Sequence, residues 1–129
     1  MEQYRLKKNA SFNYIYRNGK SISNKYMVLV YVKSYQTLKV GYSVSKKVGN
    51  SVVRNHTKRL FRETIRLLLP NMDKHTHYIF IARPAINKIG YHEYLELEKD
   101  LLKKASLYLE RWKNYLFILL RDTKNFFRH

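Results

Sequence analysis

The chain has 129 residues, 45% apolar and 15% aromatic, with 26 Lys and Arg against 9 Asp and Glu for a formal charge of +17. That length and apolar content fit one compact domain, and 12 Tyr, 6 Phe and one Trp exclude the aromatic-poor composition of a disordered basic tail. Zero cysteines exclude disulfides, thiolate catalysis and Cys-based zinc sites, while a basic excess over a whole domain points to a polyanion, nucleic acid ahead of an anionic membrane.

Taken in chain order, Ser11 is placed to cap a short helix over residues 12–17, in which Phe12, Ile15 and Tyr16 share helical spacing and which Asn18-Gly19 closes. Residues 26–33 form a β-branched and aromatic run, and residues 38–45 repeat that character after a polar loop. They read as two paired strands, with a weaker strand signal at 21–23. Gly49-Asn50 makes a turn, Ser51 is expected to cap, and a basic helix runs on until Pro70, which no helix interior accommodates. The run HYIFIA at 77–82 has the composition of a strand buried on both faces, broken by Arg83-Pro84. From about His92, Leu95, Leu102, Ala105, Leu109, Trp112, Leu116 and Leu119 recur mostly at spacings of three and four, a heptad-like helical stripe. The order implies a mixed α/β domain, a small sheet covered by helices. No apolar run approaches the roughly 20 residues of a membrane span, and the N-terminal residues lack the apolar core of a secretory signal. A cytoplasmic protein with no membrane partner is expected.

The segment KKVGNSVVRNHTKRLFRE at 46–63 concentrates the chemistry. On a helix, Arg54, Lys58 and Arg62 stack along one edge with Asn55, Arg59 and Arg66 on the adjoining strip, and Val53, Leu60, Phe61, Leu67 and Leu68 fall roughly opposite. A merely solvated helix would pair its cations with acids four residues away, yet between Lys46 and Arg66 the only acid is Glu63. Such cations suit phosphate oxygens, Asn55 can donate and accept at base edges or ribose hydroxyls, and backbone N–H groups at Gly49-Asn50 add an anion site. Phe12, Tyr16 and Tyr26 can stack on unpaired bases beside such a surface. Composition alone favours burying them. His75 and His77 lack a third metal ligand at a familiar spacing. Glu93, Glu96, Glu98 and Asp100, with Lys99, Lys103 and Lys104 close by, read as an ion-paired solvated face rather than an acid/base pair. The sequence holds no supported nucleophile triad, phosphate loop or two-carboxylate nuclease motif, so neither catalytic residues nor a protein metal site are expected.

Three blocks in order, RLKKNASFNYIYRNGKS, VGYSVSKKVGNSVVRNHTKRLFRE and HYIFIARPA, make the chain resemble the protein subunit of bacterial ribonuclease P from about Tyr4 to Leu109. The resemblance implies an α+β fold: an α-β sandwich, ribosomal protein S5 domain 2-like, with a small mixed sheet, helices, and a left-handed βαβ crossover against the usual right-handed rule. It implies a domain over residues 1–111 and a C-terminal helical extension over 112–129. In that family a large RNA carries out the endonucleolytic removal of the 5′ leader from precursor tRNA, leaving a 5′-phosphate, and the protein binds both the catalytic RNA and the leader. Matched motif by motif, Arg54, Asn55, His56, Lys58, Arg59 and Arg62 would face the catalytic RNA. Phe12, Tyr16, Val30, Ser45, Lys46 and Lys47 would line or border the leader cleft. Magnesium is implied as a cofactor held mainly by RNA. Two positions depart from the family pattern. His56 stands where Arg is usual, and Val30 falls at a familiar cleft aromatic, with Tyr31 next door on the opposite strand face. The YLFILL run of the extension leaves two readings, packing on its own domain or association with a partner or second copy. The alternative for the whole chain is a ribosomal or ribosome-assembly RNA-binding protein, with a free-standing protein nuclease third.

Overall fold

The run HYIFIA takes an interior place in the sheet. In the computed structural model, which describes residues 2–110, β1 (Lys20–Ser23), β2 (Met27–Lys33), β3 (Lys39–Ser43) and β4 (Thr76–Ala82) lie in the order β1-β2-β4-β3. β4 is antiparallel to β2, with Leu29 opposite Phe80, and parallel to β3, with Tyr42 opposite Phe80. The expected pairing of the second and third strands is therefore corrected: β4 inserts between them. Five of the seven β4 residues are buried, and a strand apolar on both faces gains most where it has a neighbour at each edge and cover above and below. A simple β2–β3 hairpin would have left β4 at the rim. β1, the weakly signalled strand, forms and pairs with β2.

Side chains alternate across the sheet, so its two faces carry different clusters. Val30 and Ile79 pack with Leu6 and Ile15 under α1 (Asn9–Asn18), while Leu29, Tyr78 and Phe80 pack on the other side with Phe61, Ile65, Leu101 and Leu102. Those last four belong to α2 (Ser51–Leu68) and α3 (Tyr91–Lys104). α2 connects β3 to β4, which makes the parallel β-α-β unit.

Helix starts differ from the expected caps. α1 begins at Asn9 after Lys8, with no side-chain cap, and Ser11 sits inside the first turn with its N–H donating to the Lys8 carbonyl at 3.0 Å. The preceding residues are pinned to β3 by the Leu6 N–H to Val40 carbonyl bond of 2.8 Å, which delivers the chain into the helix early. α2 is capped by Asn50, whose Oδ1 accepts from the Val53 N–H at 3.0 Å, so Ser51 is already helical. Its buried stripe is Thr57, Phe61, Thr64, Ile65 and Leu68, the three-and-four spacing of one helix face. Leu67 falls off that stripe and is 53% exposed. The buried Thr57 hydroxyl is satisfied by the helix's own Val53 carbonyl, and the Thr64 hydroxyl lies within reach of both the Leu60 carbonyl and Glu98 of α3.

Two expectations for the last helix are overturned. α3 stops at Lys104, because Ser106 takes a left-handed φ of 61° and the Leu107 N–H returns to the Leu102 carbonyl at 2.8 Å, a Schellman-type end. Leu107 and Leu109 then hydrogen-bond with Asp73 and Asn71, so the heptad-like stripe does not continue through Ala105 and Leu109 as helix. Trp112, Leu116, Leu119 and the 112–129 extension lie outside the described residues. Nor is Glu98 part of a solvated acidic face. It is fully buried, accepts from Thr64 Oγ1 at 2.9 Å, and leaves its Oε1 without a partner. Burial pushes its carboxyl well above the ordinary 4.5, against the opposing pull of the Thr64 bond. The Asp100–Lys104 pair at 3.0 Å does form on the open side of the helix.

Candidate nucleic-acid interface

The site is built on β3, the strand at one margin of the sheet. α1 crosses the sheet so closely that two glycines are required beneath it. A Cβ at Gly41 would stand 2.6 Å from the Phe12 ring, and one at Gly19 would stand 2.5 Å from the Ile15 carbonyl and 2.8 Å from that of Tyr31. Gly41 thus lets the Phe12 ring approach β3 closely, and Gly19 lets the end of α1 press on β2. Ile15 is the buried anchor of α1. Phe12 is half-buried, and Tyr16, its ring centroid 6.4 Å away, is 44% exposed.

On the opposite face α2 overhangs the same margin. Lys58 and Arg62 join Arg5, Lys7, Phe12 and Tyr42 around one cleft of about 460 Å³. Two features far apart in sequence, an aromatic helix and a cationic ridge, thereby face one hollow. Tyr42 stacks on Phe61 at 5.9 Å, 3° from parallel. Burial and the carboxyl of Glu98 push its phenol above the ordinary range, against the pull of Arg62 and Arg5, so the hydroxyl stays protonated as a potential donor. Sequence reasoning did not select Arg5, Lys7 or Tyr42. The alternation in RLKK was the available signal for the first two, but only the bridge of Arg5 to Val40 brings them to the cleft.

Of the residues expected to face a catalytic RNA, Asn55, His56, Lys58, Arg59 and Arg62 are exposed along α2. Arg54 is half-buried, its Nε enclosed without a hydrogen-bond partner. Arg59 pairs with Glu63 at 3.6 Å, with both side chains at least half exposed, so the contact is weak and readily exchanged for another anion. Among residues expected at the leader cleft, Ser45, Lys46 and Lys47 are exposed in the turn after β3. Val30 is 7% exposed, beneath α1. Tyr26 packs against the α2/α3 core and does not join Phe12 and Tyr16. Among the described residues no group of three His, Asp or Glu side chains gathers as metal ligands would, and no helix is long and apolar enough to cross a membrane.

Comparison with known proteins converges with this geometry. The family model described as Ribonuclease P matches residues 1–106. The ribonuclease P protein component of Clostridium kluyveri is 49% identical over 111 residues, spanning 84% of this chain and 99% of its own. That of Caldanaerobacter subterraneus subsp. tengcongensis is 43% identical over 108 residues, spanning 83% and 93%. Among solved structures, a Staphylococcus aureus RNase P protein mutant with defective mRNA degradation activity superposes with a TM-score of 0.77 at 33% identity, covering 83% of this chain and 92% of that one. The RNase P protein from Thermotoga maritima gives 0.71 at 28% identity, with 78% and 96% covered. Sequence and fold agree over the same span, and the chain belongs to the ribonuclease P protein family.

Proposed function

We propose that the two walls of the cleft divide the work of a ribonuclease P protein subunit. The chain is that subunit, and the holoenzyme it forms with an RNA subunit is the endoribonuclease that matures tRNA by removing its 5′ leader. In our reading α2 docks on the catalytic RNA through Arg54, Asn55, His56, Lys58, Arg59 and Arg62. α1 and the sheet hold the leader, with Phe12 and Tyr16 as stacking surfaces, Val30 in the floor, and Ser45, Lys46 and Lys47 along the path. The observation that carries it is the meeting of Phe12 with Lys58 and Arg62 around one hollow.

The chain's own work is binding. Each phosphate that a Lys or Arg neutralises releases condensed counterions, and Arg can grip two oxygens at once. Bases of an unpaired strand stack on aromatic rings for about 1–3 kcal/mol each. By lowering repulsion between RNA strands, the +17 charge would also help the RNA keep magnesium, which in this proposal is held mainly by RNA phosphates. The protein works in the cytoplasm, where precursor tRNA is processed.

Reconstitution tests the reading. The purified chain is expected to leave precursor tRNA intact by itself and to support its cleavage at low magnesium once the cognate catalytic RNA is added. Efficient cleavage with no RNA present would refute a binding role. No stimulation of the catalytic RNA would return the chain to the ribosomal alternative.

A further inference from the structure

The leader cleft occupies only one flank of α1. On the other flank, and around the N-terminal end of the helix, two more hollows of about 420 and 460 Å³ continue the groove. The first of these shares Arg5, Leu6 and Lys7 with the Phe12 cleft, and the second shares Ser11, Gln36 and His77 with the first. The three therefore form one uninterrupted path. No Asp or Glu lines it, whereas Lys8, Lys39 and Lys33 add cations to those of the cleft. Lys39 Nζ donates to the Gln3 carbonyl at 2.6 Å and Lys33 pairs with Asp73 at 3.1 Å. These contacts fix both ammonium groups beside the path, that of Lys33 shared with the Asp73 carboxylate.

The aromatics are distributed in the same way. Among the described residues the large aromatics with exposed side chains are Tyr14, Tyr16 and Tyr35, and all three border α1. Tyr16 lies beside Phe12, with ring centroids 6.4 Å apart. Tyr14, 58% exposed, and the fully exposed Tyr35 flank the last hollow. Exposing two phenol rings next to cations contributes nothing to the core, but it is the combination that binds single-stranded nucleic acid irrespective of sequence. His77 supplies a polar floor between the two outer hollows. Its Nε2 lies 3.2 Å from the Thr37 carbonyl, which makes that nitrogen the donor and leaves Nδ1 as an acceptor for a base or ribose hydroxyl.

We propose that the outer flank of α1, from Lys8 and Lys39 to Tyr14 and Tyr35, is a second subsite for single-stranded RNA that takes leader nucleotides farther from the cleavage point than those in the Phe12 cleft. This rests on the leader reading of that cleft. The continuity through Arg5, Leu6 and Lys7 favours the same strand over an unrelated one, since a leader leaving the cleft meets this path next.

The test is substrate affinity of the holoenzyme, reconstituted with its catalytic RNA, for precursor tRNAs carrying leaders of about 5 and about 15 nucleotides, a span set by typical single-strand site sizes. The double variant Tyr14→Ala/Tyr35→Ala is expected to bind the long-leader substrate about tenfold more weakly and the short-leader substrate as the parent does. Tyr14→Phe/Tyr35→Phe keeps both rings and should bind both like the parent. Phe12→Ala should weaken binding of both. Parent-like binding of the long leader by the double alanine variant would overturn the proposal, as would an equal loss for both lengths. A long-leader loss in that variant together with no effect of Phe12→Ala would instead retain the outer RNA subsite and discard the cleft reading.

Discussion

The two faces of the sheet are built to different standards. Among the described residues, seventeen buried ones form one cluster on the α2/α3 side, whereas on the α1 side the cluster has four, Leu6, Ile15, Val30 and Ile79. Both faces alternate from the same strands, so strand composition alone does not explain the difference. The cause is cover. Two helices bury one face, while a single ten-residue helix anchored by Ile15 crosses the other and leaves grooves on both flanks. The lesson is a separation of labour: stability resides on the crowded face, and the thin face is left with half-buried rings and cations that a strand of RNA can cover. α2 serves both, turning Phe61 and Ile65 into the core and Lys58 and Arg62 to the cleft.

That contrast can be broken by substitution. The largest effect is expected for Phe61→Ala, which removes a ring 5.9 Å from Tyr42, 6.1 Å from Phe80 and 5.3 Å from Tyr94. Truncating such a ring costs about 3–5 kcal/mol, read from the denaturant midpoint. Ile15→Ala, in the four-residue cluster, should cost nearer 2 kcal/mol, the low end for an aliphatic truncation. Equal losses would mean that the thin face is as structural as the thick one.

A smaller effect, in binding instead of stability, is expected for Arg62→Ala. The side chain is exposed, so unfolding should change by no more than about 0.5 kcal/mol. Affinity for the catalytic RNA should fall several-fold, and the dependence of log K on log salt should flatten by about 0.7–0.9, one phosphate contact. An unchanged salt slope would remove Arg62 from the interface.

The smallest effect is a pH dependence inside the thick core. Glu98 faces Thr64 and lies near Tyr42 and Tyr94. Because its folded-state pKa is raised above 4.5, the native chain binds this proton more tightly than the unfolded chain. Its contribution to stability is whole below about 4.5 and is lost as pH rises through the raised value. Glu98→Gln keeps an oxygen for the Thr64 hydroxyl and removes the titration. The variant should therefore gain thermal stability over the parent at about pH 8, with the gain shrinking toward about pH 5. A constant difference between those pH values would show that Glu98 does not titrate across them.

Much was legible in the chain itself. The basic ridge could be read because three cations at four-residue spacing must share a helix edge, and HYIFIA because an unbroken apolar run needs cover on both faces. The three ordered blocks carried the family, since they bind chemistry and spacing together. Caps and ends were read less well. Asn50 rather than Ser51 caps α2, and α3 stops at an αL serine with no glycine to announce it. Glu98 looked like one solvated acid among several, because its burial depends on Thr64, 34 positions away.

The sequence by itself determined the elements, the cationic edge of α2 and the family, because local periodicity and ordered motifs act over a few residues. Only the tertiary structure decided that β4 separates β2 from β3, that Arg5, Lys7 and Tyr42 join Phe12, Lys58 and Arg62 around one hollow, and that the groove continues past Tyr14 and Tyr35. Those are long-range juxtapositions, fixed by which strand most needs burial on both faces and by how much of the sheet one short helix can cover.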